Sequence, residues 1–288
     1  MNFVKTPLVP GLYIVATPIG TARDITLRAL DILASADLLV AEDTRTLRKL
    51  LDLHAIALEG RAIISYHDHS KSSDRARILR AITVGQSVAY VSEAGTPLIA
   101  DPGYALVQEV RDLGALVTGA PGPSAPIAAL SIAGLPTDRF FFAGFAPATQ
   151  HARRAHLSEL KTIPATLVFF EAPKRVSAFL DDAASIFGDA RQAALCREIT
   201  KRFEEVRRGT LPDLHAGTLE KTVKGECVIL ISKAMASETS DDDILAALKI
   251  ALTHSTLKEA ATAVSGGLGV PRRQVYQMAL ALKSGETQ

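Results

Sequence analysis

Unbroken apolar runs punctuate the first 120 residues at regular intervals. They fall at Leu12–Ala16, Asp37–Ala41, Ala62–Ser65, Ser87–Val91 and Ala115–Thr118. Runs this short without alternation predict strands buried on both faces. Between them the apolar period lengthens to three or four. Leu27, Leu30, Leu33 and Ala34 mark one helical face after the capping residues Asp24 and Thr26. Further helices are predicted over 44–53, 72–83 and 104–113. This βαβα order predicts a mostly parallel sheet with helices on both sides.

The pattern changes beyond Pro121. Strands are predicted over 139–143, 165–170, 192–197, 204–208 and 226–231, with helices over 124–133, 152–160, 175–187 and 211–216. The close spacing of the later strands predicts a mixed sheet with antiparallel members. Residues 234–243 are small, polar and acidic, and read as a linker. Three amphipathic helices follow, with faces Ile244/Ala247/Leu248/Ala251, Leu257/Ala260/Ala261/Val264 and Val275/Met278/Ala279/Leu282. Gly266–Gly269 is expected to join the second to the third, with Pro271 near the third helix's first turn. The expected domains are therefore 1–120, 121–233 and 234–288, the last resembling a helix-turn-helix.

Composition narrows the function. Net charge is +1 and aromatic content 5% with no Trp, which argues against a stacked-aromatic nucleic-acid platform. Any nucleic-acid surface must be local. Cys196 and Cys227 sit in apolar runs without a C-x-x-C pair, as buried free thiols of a reducing cytoplasm do. No segment is apolar enough over sufficient length to span a bilayer, and the N-terminus lacks a signal-peptide pattern.

Two loops carry the chemistry. Ser92-Glu93-Ala94-Gly95-Thr96-Pro97 follows a predicted strand and runs through Asp101-Pro102-Gly103 into a helix. Pro121-Gly122-Pro123-Ser124-Ala125 repeats the arrangement. Glycine lets backbone approach a ligand and proline fixes its shape. Two such loops at strand carboxyl ends predict a small-molecule pocket. No G-x-G-x-x-G follows the first strand, which disfavours a dinucleotide oxidoreductase.

Taken in order, several segments resemble one family: Gly11–Gly20, Ala41–Arg45, Ile64–His67, Ser92–Tyr104, Pro121–Ala125, Gly134–Phe140, Phe170–Arg175, Arg197–Lys201 and Lys224–Glu226. The family is that of ribosomal RNA small subunit methyltransferase I, in the tetrapyrrole methylase superfamily. The resemblance implies two α/β domains of tetrapyrrole methylase type with a cofactor cleft between them, plus the small helical C-terminal domain. It implies S-adenosyl-L-methionine as methyl donor, 2′-O-methylation of a cytidine in the decoding region of small-subunit rRNA, and a homodimer. It places Ile19, Gly20, Gly95, Thr96, Ile99, Pro121, Gly122, Ser124 and Ala125 around the cofactor. Tetrapyrrole-modifying members carry Gly-Asp-Pro where this chain has Gly95-Thr96-Pro97, so a carboxylate contact at Thr96 is missing. Against the rRNA reading stand a methylase of a tetrapyrrole or other small molecule, and a non-catalytic ribosome-assembly protein.

For catalysis the candidates are Glu171 and Glu198 as bases and Lys201 as a cation that lowers a hydroxyl pKa. The competing reading is one structural salt-bridge network of Glu171, Arg175, Arg197, Glu198 and Lys201. Arg45, Lys49, His67, Lys174, Arg175 and Arg197, with Arg272 and Arg273 of the last helix, are candidate RNA contacts. Basic pairs at Arg153/Arg154, Lys201/Arg202 and Arg207/Arg208 extend that expected phosphate track. His67 and His69 are too few for a metal site, and none is expected.

Overall fold

The five apolar runs of the first 120 residues form one sheet in the computed structural model, which describes residues 2–67, 70, 72–233 and 241–284. β1 (Gly11–Val15), β2 (Leu38–Ala41), β3 (Ile63–Ser65), β4 (Ser87–Val91) and β5 (Leu116–Ala120) pair in the order β3-β2-β4-β1-β5. Every pairing is parallel. The helices between them are α1 (Leu27–Ser35), α2 (Thr44–Leu53), α3 (Ser72–Thr83) and α4 (Tyr104–Asp112). Val15, Ala89 and Val91 pack on one face with Leu33 of α1 and Leu47 of α2. Leu12, Val88 and Tyr90 pack on the other with Ile78 of α3 and Leu106 of α4. Neighbouring strands β1 and β4 thus send their following helices to opposite faces. That divergence opens a crevice at their carboxyl ends.

Thr26 caps α1 by accepting from the Ala29 amide, which makes Leu27 the first helical residue. Leu27 is 64% exposed. The buried face is carried by Leu30, Leu33 and Ala34, with Ala29 and Ile32 in place of Leu27.

The second sheet runs β6 (Phe140–Phe145), β7 (Thr166–Glu171), β10 (Cys227–Ile231), β8 (Gln192–Arg197), β9 (Glu205–Thr210) across its width. Only β6 and β7 are parallel. α5 (Ala125–Ala133) covers one face, against Val168, Ala194 and Cys196. α6 (Gln150–Leu160), α7 (Val176–Phe187) and α8 (Leu211–Glu220) cover the other. α8 outlasts its predicted end because a Thr210/Asp213 capping box starts it and Leu214 and Thr218 bury its face. Cys196 and Cys227 lie in the cores on opposite faces of this sheet. Both are free, and burial pushes their thiols up to about 12 and about 11.

Asp182 of α7 is fully buried and takes Arg153 Nη2 at 2.5 Å and Arg154 Nε at 2.5 Å from α6, with Gln150 Nε2 at 3.1 Å. Arg153 is itself 4% exposed. The Arg153/Arg154 pair therefore clamps two helices rather than extending a phosphate track. Burial alone would raise the Asp182 pKa, but the hydrogen bonds from Arg154 and Arg153 outweigh it and hold the carboxyl low.

The chain folds as two separate units, residues 1–233 and 234–288, so both sheets belong to the first. In the second, α9 (Asp241–Ala251), α10 (Leu257–Leu268) and α11 (Arg272–Ser284) bury Ile244, Leu248, Ala260, Ala261, Val264, Val275 and Ala279 together. Two expectations change. Asp241–Asp243, read as linker, form the first turn of α9, where carboxylates suit the positive end of the helix dipole. Gly266 and Gly267 are helical, and only Gly269 leaves the helix, as its left-handed cap at φ 66°. The remainder of the linker, 234–240, and His69 lie outside the described residues.

Replacing Asp182 by Ala leaves Arg153 buried without its counter-charge. Urea unfolding should then show a loss of about 3–5 kcal/mol.

Candidate active site

The crevice between β1 and β4 widens into a cleft of about 850 Å³, walled by both sheets of the first unit. Three loops at the carboxyl ends of β1, β4 and β5 build one side. The segment after β1 crosses the segment after β4 through paired bonds, Thr17 N to Gly95 O at 2.8 Å and Gly95 N to Thr17 O at 3.0 Å. Gly95 holds φ 78°, and a Cβ there would lie 3.2 Å from Ile19 Cγ2. Its glycine requirement is thus set by the protein backbone. Thr96 donates its hydroxyl to Pro123 O at 2.9 Å and ties the β4 loop to the β5 loop. Ser124 occupies the N-cap of α5, yet its hydroxyl makes no capping bond. The helix N-terminus opens on the cleft through Ser124, Ala125 and Pro126.

The second sheet supplies the other side. Antiparallel β10 enters at the end where β7 and β8 leave. Glu171, Glu198 and Glu226 therefore converge there by topology. Glu198 and Thr200 sit at φ 50° and 64°, and Leu98 and Ala100 of the β4 loop at 72° and 60°. Four side-chain-bearing residues in the left-handed region on two facing loops concentrate backbone strain at this cleft. Lys201 Nζ donates to Glu226 Oε2 at 2.9 Å and Glu198 Oε1 at 3.2 Å, and Glu198 Oε1 also accepts the Glu226 amide at 3.0 Å. Two glycines permit this packing. A Cβ on Gly20 would stand 2.5 Å from Thr200 Oγ1 and 2.7 Å from Lys201 Cγ, and one on Gly225 would run into the Glu198 carboxyl.

Burial would lower the Lys201 pKa, but hydrogen bonds to Glu226 and Glu198 overcome it and raise the ammonium's pKa. The Glu226 backbone bond and the Lys201 ammonium lower the Glu198 pKa against a smaller opposing effect of burial. Glu171 is the reverse case: burial raises it, against the Ala172 amide and Arg175.

Among the cofactor candidates, Ile19, Gly20, Gly95, Thr96, Ile99, Ser124 and Ala125 line the cleft, as do Glu171, Glu198 and Lys201. Pro121 and Gly122 stand behind it. A Cβ on Gly122 would lie 2.9 Å from Ala16 Cβ, so that glycine serves the packing of β5's exit on β1. The single salt-bridge network is split into three. Arg175 Nε pairs with Glu171 at 3.0 Å and Arg175 Nη2 also holds the Ala146 and Pro147 carbonyls. Arg197 Nε pairs with Glu205 at 2.6 Å, with Arg207 on the same carboxylate. Lys201 forms the third, with Glu198 and Glu226. Arg175 and Arg197 are consequently internal ties, not phosphate contacts. Arg208 likewise donates to Gly134 O at 2.8 Å. Arg45 is 85% exposed and paired to Asp43, the N-cap of α2, at 2.9 Å. Lys49, Lys174, Arg272 and Arg273 are exposed, and His67 follows β3, where its amide donates to Ser70 Oγ.

Sequence reasoning gave no role to Glu93, Asp101 or Glu226 and left Glu42 ambiguous between catalysis and a structural ion pair. The lining carries six carboxylates, these four with Glu171 and Glu198, against one lysine. Asp101 restores a carboxylate to the loop where Thr96 had removed one. Its signal was the Asp101-Pro102-Gly103 turn, read only as helix entry. Among the described residues no group of three or more His, Cys, Asp or Glu is placed to hold a metal ion, and no helix is long and apolar enough to cross a membrane.

A parallel sheet and a mixed sheet share one ligand-sized cleft. The pattern of the Tetrapyrrole (Corrin/Porphyrin) Methylases matches residues 11–215, and that of the RsmI C-terminal HTH domain matches 238–283. Among solved structures, the fold is similar to a uroporphyrin-III-C-methyltransferase from Thermus thermophilus, with a TM-score of 0.56 at 21% identity over 78% of this chain and 94% of that one. A structure of a Thermus thermophilus uroporphyrin-III C-methyl transferase complexed with S-adenyl homocysteine scores 0.53 at 18% identity, covering 77% and 97%. The chain is a methyltransferase of the tetrapyrrole methylase family. Within it the chain belongs with the proteins called ribosomal RNA small subunit methyltransferase I. That of Mesorhizobium japonicum is 45% identical over 97% of this chain and 95% of its own length, and that of Xylella fastidiosa 44% over 93% and 98%.

The Arg197–Glu205 tie has a pH signature. Hydrogen bonds from Arg207 and Arg197 lower Glu205 from 4.5 to about 2. A carboxyl depressed by folding stabilises the fold above its unfolded pKa and loses that contribution as pH falls through the folded one. The stability gap between wild type and Glu205→Gln, measured by urea unfolding, should hold above about pH 4.5 and close as pH falls toward 2.

Proposed function

We propose that this chain transfers a methyl group from S-adenosylmethionine to the ribose 2′-hydroxyl of a cytidine in the decoding region of small-subunit rRNA. The observation that carries the chemistry is one clamped ammonium, Lys201, in a cleft whose other charged lining residues are carboxylates. The name of the 40–45% identical relatives supports rRNA as the substrate.

The cleft fits the donor. Ser124 and the N-terminus of α5 suit its carboxylate, because free helical amides favour an anion. The Asp101 carboxylate suits its cationic centres, and Ile99, at 42% exposure, offers an apolar wall for adenine. When bound, the donor supplies a methyl carbon on positively charged sulfur, whose C–S bond electrons leave with the neutral thioether.

The protein's task is then to align an oxygen with that carbon and manage its proton. Alignment of this kind contributes on the order of 7–11 kcal/mol. Lys201, held charged, lowers the pKa of a 2′-hydroxyl placed beside it and stabilises the oxygen's developing charge. Glu198 and Glu226 position that ammonium. Glu171, whose proton affinity burial has raised, is the candidate proton acceptor. Recognition of the RNA falls to exposed cations: Arg45, Lys49, Lys174 and, in the C-terminal unit, Arg272 and Arg273. The exposed Phe140 and Phe141 of edge strand β6 and Leu116 of edge strand β5 support a homodimer.

The direct test supplies labelled S-adenosylmethionine and small ribosomal subunits from a strain lacking the gene. Label in 2′-O-methylcytidine by nucleoside mass spectrometry is the expected result, and label in any other nucleoside overturns the assignment. Lys201→Ala should cut the transfer rate by about 10²–10³-fold, as removal of a transition-state donor does, with calorimetric cofactor affinity unchanged. Gly95→Val forces a β-branched residue to φ 78° against Ile19. It should weaken cofactor binding by about tenfold or more.

A further inference from the structure

A second, smaller cavity of about 220 Å³ opens beside the main cleft and shares Pro18, Gly20, Thr46 and Glu93 with it. We propose that this side cavity receives the target base, unstacked from its strand, and that it suits a single pyrimidine bearing an exocyclic amine. The proposal rests on the rRNA-methylation reading above and deepens it.

Size speaks first. The cavity falls below the roughly 300–1,000 Å³ of a whole small-molecule site, so it fits one ring of a larger ligand. Position speaks second. Gly20 lines both cavities, and its missing Cβ is the space that Lys201 Cγ approaches to 2.7 Å. A base lodged beyond Gly20 leaves its own ribose next to the ammonium that the proposed reaction uses. The walls are also fixed in advance. Thr21 N donates to Thr200 Oγ1 at 3.0 Å, and His54 Nε2 at the end of α2 meets the Ala22 carbonyl at 3.2 Å.

The lining chemistry completes the case. Thr17 is 3% exposed, and its hydroxyl is one of three buried side-chain N or O atoms without a hydrogen-bond partner among the described residues. A buried hydroxyl is costly to leave unpaired, and Thr17 is a lining residue of the cavity. It can donate to a ring nitrogen or a carbonyl. Glu93 is a carboxylate at the shared mouth, and carboxylates accept from the cytosine amine. Pro18 and Leu50 give the ring apolar faces, and Lys49 reaches the rim where a flanking phosphate would run. Enzymes that act on a nucleotide inside structured RNA take the base out of its stack and read its edge in such a pocket.

The test compares wild type, Thr17→Val, Leu50→Trp and Glu93→Gln on undermethylated small subunits. It measures kcat/KM for methyl transfer and calorimetric affinity for S-adenosylmethionine. Leu50→Trp fills the cavity and should lower kcat/KM by about 100-fold or more, with cofactor affinity held within about threefold. Thr17→Val keeps shape and breaks no bond of the fold. It should lower kcat/KM by about tenfold while the unfolding midpoint stays level or rises. A structural role alone would move only the midpoint. On reconstituted subunits whose target cytidine is replaced by uridine, wild type should be slower by about 10–100-fold, and Glu93→Gln should narrow that gap. Wild-type kcat/KM in both Thr17→Val and Leu50→Trp overturns the base pocket and leaves the rRNA reading standing. A matching loss of cofactor affinity in both assigns the cavity to the cofactor and also overturns it. Failure of the wild type to methylate subunits removes the rRNA reading itself.

Discussion

The segment Glu198–Lys201 lies against Gly20 of the loop after β1 and against Gly225 ahead of β10, at distances that side chains on those glycines would forbid. Thr21 bonds Thr200 from both its amide and its hydroxyl at the Gly20 contact. This one approach joins the mixed sheet to the parallel sheet on the floor of the cleft. It also fixes Lys201, whose ammonium has two carboxylates to satisfy and whose Cγ packs on Gly20. The left-handed residues at 198 and 200 are the conformational cost of bringing β8's exit so close. Loosening either glycine would be felt at the candidate reaction centre before it was felt in either core.

Charge is distributed to match. Much of the chain's arginine is spent internally, on Asp182, Glu171, Glu205 and backbone carbonyls, where it ties helices and strand ends together. The cleft is left acidic, which suits a cationic donor more than a polyanion. On the proposed function, contact with nucleic acid falls to exposed cations outside it, Lys49 and Lys174 among them, and to the start of α11. Such a division lets one protein hold a positively charged cofactor and a negatively charged substrate without either competing for the other's counter-charges.

Much of the architecture was legible in the sequence because its causes are local. Continuous apolar runs became the central strands, and the later close-set strands became antiparallel, since short connections permit little else. The capping residue Thr26 placed its helix. The errors were local as well. Leu27 precedes the buried stripe by one position, and Asp241–Asp243 look like linker until the helix dipole they stabilise is considered. The two ligand loops were found from glycine, proline and strand ends alone.

The sequence by itself determined the elements, their two sheets and the loops that face the cleft, because hydrophobic period and turn chemistry act over a few residues. Only the tertiary structure decided which charges do chemistry. Arg197 looked like a phosphate contact until register set it opposite Glu205 on the neighbouring strand. Glu226, read as part of the Lys224–Glu226 segment, had no role until antiparallel β10 brought it to Lys201, 25 positions away. Pairing of that kind depends on strand order and register, which arise from the burial of whole faces and are written in no single segment of the chain.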